Sequence, residues 1–242
     1  MFLNFHVQAQ TPITDANIHE AVDLWISDQS TAEATYGNIS NWDVNSVTNM
    51  IAMFNESNFN QPIGYWDVSN VEDFRLVMQL ETTNPNINNW DVSKATNMSG
   101  FFSTSSENRY IEGMDLSGWD VSKVTTMSGM FSDATIFNQN ISIWNTSSVI
   151  TASAMFENAI AFNQDISSWN LELATSLDYM FSGATAFDQP LANWNLASVQ
   201  TLNFFMLGKT DLNYSATNYD NLLIAWNGKV LPNNIVAGFG TI

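Results

Sequence analysis

The chain has 242 residues, with 24 acidic against 6 basic side chains for a net charge of −18, and no cysteine. That balance excludes a nucleic-acid partner, which needs a basic face, and works against binding to anionic lipid. Without cysteine there are no disulfides, thiolate metal sites, Cys nucleophiles or N-terminal lipoprotein anchor.

Residues 1–10, MFLNFHVQAQ, read as the remnant of a signal peptide, or else as a disordered extension. An apolar stretch precedes Val7-Gln8-Ala9, an A-x-A-like cleavage site. Residues 11–38 form the expected N-terminal cap, because the first repeat of a stack must have its open core covered. Within it, residues 14–28 carry a helical pattern. Thr14 or Asp15 is placed to act as N-cap, and Ile18, Ala21, Val22, Trp25 and Ile26 fall on one face. No segment reaches the length of a transmembrane helix, so no membrane insertion is expected.

From 39 to 212 the chain repeats. Trp42, Trp66, Trp90, Trp119, Trp144, Trp169 and Trp194 recur at gaps of 24, 24, 29, 25, 25 and 25 residues. Such a period marks a solenoid of about seven coils, none of which buries its apolar face alone. Around each Trp the apolar residues step by 3, 2, 3, 3 and 3, as in Ile141, Trp144, Thr146, Val149, Ala152 and Met155-Phe156. Neither strict alternation nor a long amphipathic helix fits these steps. They match the rhythm of a leucine-rich repeat, with Trp, Met and Phe in place of most leucines. Phe-Asn-Gln or a near copy precedes the Trp at Phe59-Asn60-Gln61, Phe137-Asn138-Gln139, Phe162-Asn163-Gln164 and Phe187-Asp188-Gln189. The stretch from this Phe to the Ile before the Trp is read as a short strand. A second strand is expected near 124–127, and a short helical turn at the Met-Phe pair. The fold class expected is therefore a leucine-rich-repeat-like solenoid of short parallel strands and short helical turns, with a helical N-terminal cap.

The coil between Trp90 and Trp119 is longer, and its extra residues fall in 103–113, STSSENRYIEG. The preceding coil is degenerate at 80–85. Insertions on one face of a repeat array often carry binding, although drift in a tolerant loop gives the same pattern. On that ground Glu107, Arg109, Tyr110 and Glu112 are the candidate binding residues, with Arg109 and Tyr110 leading and the two glutamates either positioning the arginine or binding a cation with it. Residues 213–242 are the expected C-terminal cap. Tyr219, Leu222, Leu223 and Trp226 share a helical face there, and the abrupt apolar ending reads as that of a truncated chain.

Segments such as FNQNISIWNTSSV, NWDVSKATNMSGFF and WDVSKVTTMSGMF resemble the BspA-like leucine-rich-repeat surface proteins. The resemblance runs from about residue 11 to the C-terminus. It implies a secreted or surface-displayed protein with a role in adhesion or binding. It brings no catalytic residue to any position of this chain.

The residues themselves add little chemistry. Asp43, Asp67, Asp91, Asp120, Asn145, Asn170 and Asn195 follow the seven tryptophans and would align as a row. Asp and Asn hold turns by bonding the backbone two residues on, which explains their interchange. A calcium ladder is the rival reading, but the Gly-Gly-x-Gly-x-Asp repeat of calcium-binding rolls is missing. The Asn and Gln rows of the Phe-Asn-Gln motif read as an internal amide ladder, or as a flat row for glycan hydroxyls. His6 and His19 are the two histidines, so a Ser-His-Asp set would depend on His19. No phosphate loop or dinucleotide fingerprint appears. Threonines Thr48, Thr96, Thr125, Thr175 and Thr201 do not form the strict paired array of an ice-binding face. The expectation is thus an extracellular binding or adhesion module without catalysis, metal or cofactor. Its partner would be a glycan or a surface protein, with self-association through the solenoid ends. The second reading is a structural spacer or filament subunit, and the third a polysaccharide-active enzyme.

Overall fold

The computed structural model describes residues 10–54, 59, 61–78, 85–103, 111, 113–210 and 212–227. Two helices, α1 (Ile18–Ser27) and α2 (Gln29–Tyr36), precede the repeats, and α3 (Ala216–Asn227) follows them. Residues 1–9 and 228–242, including the signal-peptide remnant with His6 and the apolar ending, lie outside the described residues. Asp15 is not a helix N-cap: α1 starts at Ile18, and the Asn17 side chain accepts from Thr14 N–H at 2.8 Å. Asp28 ends α1 and opens α2, accepting from Thr31 N–H at 3.2 Å and Thr31 Oγ1 at 2.6 Å. Ile18, Ala21, Val22 and Trp25 are buried, whereas Ile26, expected on the same face, is exposed.

The expected leucine-rich-repeat-like solenoid of parallel strands and helical turns is corrected by the structure. Among the described residues there is no strand, and the Met-Phe pairs sit on turns rather than helix. Pairing between described residues is confined to isolated parallel bridges running through Asn49, Asp73, Asn97, Thr126, Thr151, Ser176 and Thr201. The reason lies in the apolar step of three. Trp144 N–H donates to Ile141 O at 3.2 Å, Val149 to Thr146 O at 3.0 Å, Met155 to Ala152 O at 3.2 Å, and Ala159 to Phe156 O at 3.1 Å. Each pair three apart closes a turn, so the chain bends at every apolar step instead of running straight.

A second backbone feature recurs in each coil. The tenth residue after the Trp is left-handed in all seven coils: Ala52, Leu76, Gly100, Gly129, Ala154, Tyr179 and Phe204, with φ between 54° and 62°. Every second peptide N–H there points to the next coil. Ala152, Ala154, Phe156 and Asn158 N–H donate to the carbonyls of Ser176, Asp178, Met180 and Ser182 in the next coil, at 3.1, 2.7, 2.9 and 2.7 Å. The carbonyl of Ile150 accepts from Thr175 N–H at 2.7 Å. These bonds between coils satisfy backbone groups that a turn-built chain would otherwise leave unpaired.

The apolar residues line the inside of this stack. The seven repeat tryptophans are between 0% and 5% exposed. Trp66, Trp90, Trp144, Trp169 and Trp194 each donate their indole N–H to a carbonyl of the coil before, at 2.9 to 3.1 Å. Ring stacking runs mainly through phenylalanine, not tryptophan. Phe131, Phe156 and Phe181 form one column at 5.6 Å spacing, and Phe137, Phe162 and Phe187 a second at 5.7 and 5.8 Å. Tryptophan pairs stack at Trp42–Trp66 and Trp144–Trp169. Each ring contact adds roughly 0.5–1.5 kcal/mol beyond the area it buries.

At both ends of the stack, side chains take the place of the missing coil. Within it, Glu72 and Asp73 N–H donate to Thr48 O at 2.8 and 3.3 Å. In the first coil the equivalent Thr48 and Asn49 N–H donate to Asp15 Oδ1 at 2.7 and 3.2 Å. His19 Nε2 bonds Ile51 O at 2.8 Å; a carbonyl only accepts, so this nitrogen carries the proton. At the other end Asp188 Oδ1 accepts from Ser215 N–H at 2.9 Å and Asn218 Nδ2 at 2.8 Å. These stand where Asn163 Oδ1 accepts Asp188 N–H and Gln189 Nε2 one coil earlier. Lys209, 1% exposed, donates from Nζ to the carbonyls of Ala184, Thr185, Phe187 and Asn213. Thr185 is the position whose counterpart Ile160 O receives Ala186 N–H from the next coil.

Two expected outcomes follow from this packing. Trp144→Ala should lower unfolding free energy by roughly 3–5 kcal/mol in denaturant titration, as for other buried aromatics. Lys209→Met should cost about 1–3 kcal/mol by the same measurement, because it strips a donor from buried carbonyls while keeping the apolar stem.

Candidate functional site

The residue after each Trp is where a metal row was weighed against turn formation. All seven side chains make the same local bond. Oδ1 of Asp43, Asp67, Asp91, Asp120, Asn145, Asn170 and Asn195 accepts the backbone N–H two residues on, at 3.0 to 3.2 Å. A second row, four residues before the Trp, does the same at Asn38, Asp115, Asn140 and Asp165. Carboxylate and amide oxygens are equivalent as acceptors in such a turn, so the rows tolerate both. Among the described residues no cluster of three His, Asp or Glu side chains is placed to hold a metal ion.

The Phe-Asn-Gln motif forms the amide ladder. Asn138 Oδ1 accepts from Asn163 N–H at 2.9 Å and from Gln164 Nε2 at 2.9 Å, and Asn163 repeats this towards Asp188 and Gln189. Asn60 lies outside the described residues. At the bridge positions a chain of half-buried hydroxyls links the coils. Ser128 Oγ meets Thr151 Oγ1 at 3.0 Å, Ser153 Oγ meets Ser176 Oγ at 2.6 Å, and Thr201 Oγ1 donates to Ser176 Oγ at 2.8 Å. Thr96, Thr125 and Thr175 hydroxyls donate to carbonyls of the preceding coil. These threonines are thus part of the coil-to-coil bonding.

The candidate residues Glu107, Arg109, Tyr110 and Glu112 lie outside the described residues, as do 79–84 of the degenerate coil. Their flanks are Phe102 and Ile111, both buried, and Gly113, which is left-handed with φ 80°. The Trp119 indole N–H, buried, has no acceptor among the described residues. His19 is engaged with Ile51 O and stands beside Asp15, whose carboxylate is committed to Thr48. Asp133 and Glu157 are neighbours on one turn column. Asp133 accepts from Asn158 Nδ2 at 2.9 Å, and burial together with the Asp133 charge pushes the Glu157 carboxyl up.

What sequence reasoning missed is an aromatic step on the left-handed column. Gly100 and Gly129 suit that conformation without strain, and Ala52 and Ala154 are small. Tyr179 and Phe204 are bulky, a rare choice for φ near 55°. Their rings stack on each other at 5.0 Å, yet Tyr179 is 37% and Phe204 43% exposed. The period alone could have aligned these two with Gly100 and Gly129. What was missing was the knowledge that the position is left-handed.

The turn carboxylates make stability depend on pH. The Ser hydroxyl and backbone N–H two residues on hold Asp67, Asp115, Asp120 and Asp165 below the ordinary value of 3.8. Burial alone would raise Asp188, but Ser215, Asn218 and Lys209 bring it below that value too. A folded-state pKa that is depressed gives stability present above the unfolded value and lost as pH falls through the folded one. Glu157, shifted the other way, is relieved by protonation. The thermal midpoint should therefore fall as pH drops from 5 to 3. Combined Asp67→Asn, Asp120→Asn and Asp165→Asn should flatten that fall while keeping the fold, since Asn holds the same turn at Asn145. An unchanged acid limb in the triple variant would show that other carboxylates set it.

A family model described as Mycoplasma protein of unknown function, DUF285, matches the chain twice in succession, over residues 26–113 and 104–219. No curated protein and no solved structure matches. Both matches lie on the coils and the helices that flank them, so the family pattern is the stacked repeat itself and not any one site. The chain belongs to this DUF285 family of repeat proteins.

Proposed function

We propose that the protein is an extracellular or cell-surface binding and adhesion module that works without catalysis. One observation carries this reading: a scaffold whose polar side chains are spent on its own turns and ladders still holds large apolar rings in solvent, at Tyr179 and Phe204. Exposed aromatic residues kept against local conformational preference are what a contact surface needs. The resemblance of the repeats to BspA-like surface proteins supports a secreted or surface location, as does the A-x-A-like Val7-Gln8-Ala9. Among the described residues no helix is long and apolar enough to cross a membrane. The partner in this reading is a glycan or another surface protein. The insertion with Glu107, Arg109, Tyr110 and Glu112 remains a second candidate contact.

The structural spacer or filament subunit is a second reading. Leu212, Leu223 and Ile224, at the C-terminal end of the stack, are 92%, 40% and 72% exposed and could join copies end to end. Catalysis on polysaccharide would need two isolated carboxylates with divided roles. Asp133 and Glu157 sit on turns of successive coils, and the Asp133 carboxylate is tied to Ser132 and Asn158.

The expected outcome is that the full chain, applied to arrays of neutral glycans and extracellular matrix proteins, binds a defined subset and sediments as one species across a hundredfold concentration range. Concentration-dependent growth with no array binding would replace adhesion by the filament reading.

A further inference from the structure

Of the exposed apolar residues, Tyr179 and Phe204 differ from the rest in three ways. They are stacked on each other, they occupy a strained backbone position, and that position has small residues in four of the other five coils. The exception, Leu76, has a packing reason. It lies over Gly100, where an added Cβ would come within 2.4 Å of its Cδ2. Tyr65 and Ile143 are more exposed, at 87% and 70%, but Tyr65 stacks on no ring among the described residues and Ile143 carries no ring.

The rings belong to successive coils and lie 5.0 Å apart with 28° between their planes, so they stack along the direction in which the coils stack. One face of Tyr179 is covered by Phe204. The other looks towards the equivalent position of the preceding coil. That position is Ala154, whose side chain ends at Cβ, so no ring stands there. The coil step of about 4.8 Å would seat one more flat ring on the open face. Ser153, immediately before Ala154 in the chain, carries a half-buried hydroxyl that meets those of Thr151 and Ser176 at 3.4 and 2.6 Å. A hydroxyl both donates and accepts, as a sugar hydroxyl does. The net charge of −18 works against an anionic ligand.

We infer that the Tyr179–Phe204 step is a carbohydrate subsite, in which a neutral pyranose ring stacks its C–H face on Tyr179 above Ala154 and meets the hydroxyls beside Ser153. This rests on the binding-module reading and gives it a ligand class. A peptide would want an apolar pocket for its side chains. What stands here is the methyl group of Ala154 with the hydroxyl-bearing Ser153 next to it in the chain, which favours the sugar.

The experiment uses the full chain with linear tetrasaccharides of glucose, galactose, mannose and N-acetylglucosamine, a sialylated oligosaccharide as charged control, and an extracellular matrix protein array. Binding is read by saturation-transfer NMR and calorimetry. At least one neutral tetrasaccharide should bind and the sialylated one should not. Tyr179→Ala should weaken binding about tenfold or more, Tyr179→Phe should retain it, and Tyr65→Ala should leave it unchanged. Tyr179→Ala keeps the fold in this account, because Ala52 and Ala154 occupy the same left-handed position, and circular dichroism with the thermal midpoint checks that. Neutral-sugar binding that is unchanged in Tyr179→Ala overturns the subsite and leaves the binding module standing. Binding to matrix proteins alone overturns the sugar and keeps the module. Binding to neither overturns both.

Discussion

Everything in this protein depends on hydrogen bonds that run from coil to coil. Peptide N–H groups such as those of Ala152, Ala154, Phe156 and Asn158 point towards the C-terminal end, and the carbonyls that meet them point back. A chain that turns every three residues pairs only part of its backbone within each coil. It has to borrow partners from its neighbours, and burying the apolar side chains makes the loan compulsory. A finite stack therefore has two ends whose outermost backbone groups lack a neighbouring coil. The N-terminal end meets them with a carboxylate for orphan N–H groups, Asp15, and a protonated ring nitrogen for an orphan carbonyl, His19. The C-terminal end meets them with the ammonium of Lys209 and with Ser215 and Asn218. Burial draws the Lys209 ammonium down to about 8, with Asp188 opposing that shift. Its carbonyl partners are what make a buried cation acceptable there.

Much of the inward-facing register was legible in the chain. The tryptophans, the Met-Phe pairs and the aliphatic steps are the buried residues, because burial follows side-chain chemistry and the period repeats it seven times. The backbone path was not legible. A step of three places side chains inward equally well in a strand-and-turn coil and in a continuous series of turns, and only hydrogen bonds separate them. The left-handed column was hidden for a different reason. Leucine, tyrosine and phenylalanine stand in it at Leu76, Tyr179 and Phe204, and residue preference points away from that conformation. Asp15 was read as a helix cap because a carboxylate before an apolar face usually is one. Here the same chemistry, accepting two successive backbone N–H groups, is applied to the next coil.

The polar rows show how a repeat protein separates shape from function. Asp and Asn alternate after the tryptophans because only an acceptor oxygen is needed, so the row carries charge without acquiring a charge-based task. The same holds for the amide ladder and the threonines, whose donors and acceptors are consumed between coils. Side chains that the stack does not use are therefore informative in a way that the conspicuous repeated ones are not. Tyr179 and Phe204 are of that kind: the backbone there favours glycine, the rings gain little burial, and their one described ring partner is each other.

The long coil shows where such a stack can change without falling apart. Between Trp90 and Trp119 the bonding column is intact, with Met98, Gly100 and Phe102 N–H donating to Thr126, Ser128 and Met130 carbonyls at 3.0, 2.8 and 2.9 Å. Phe102 and Phe131 still stack at 5.5 Å. Trp119 stays buried, but among the described residues its indole N–H lacks a partner such as the carbonyls that Trp90 and Trp144 find. One indole bond is a local matter of about 1–3 kcal/mol, small beside the ladders that persist. The extra residues fall in 103–113, after the left-handed column, and the bonds of that column persist in the coil that carries them. The surface around Tyr179 and Phe204 therefore lies on the side whose spacing the coils hold fixed, which is where a ring-stacking contact can be kept in register.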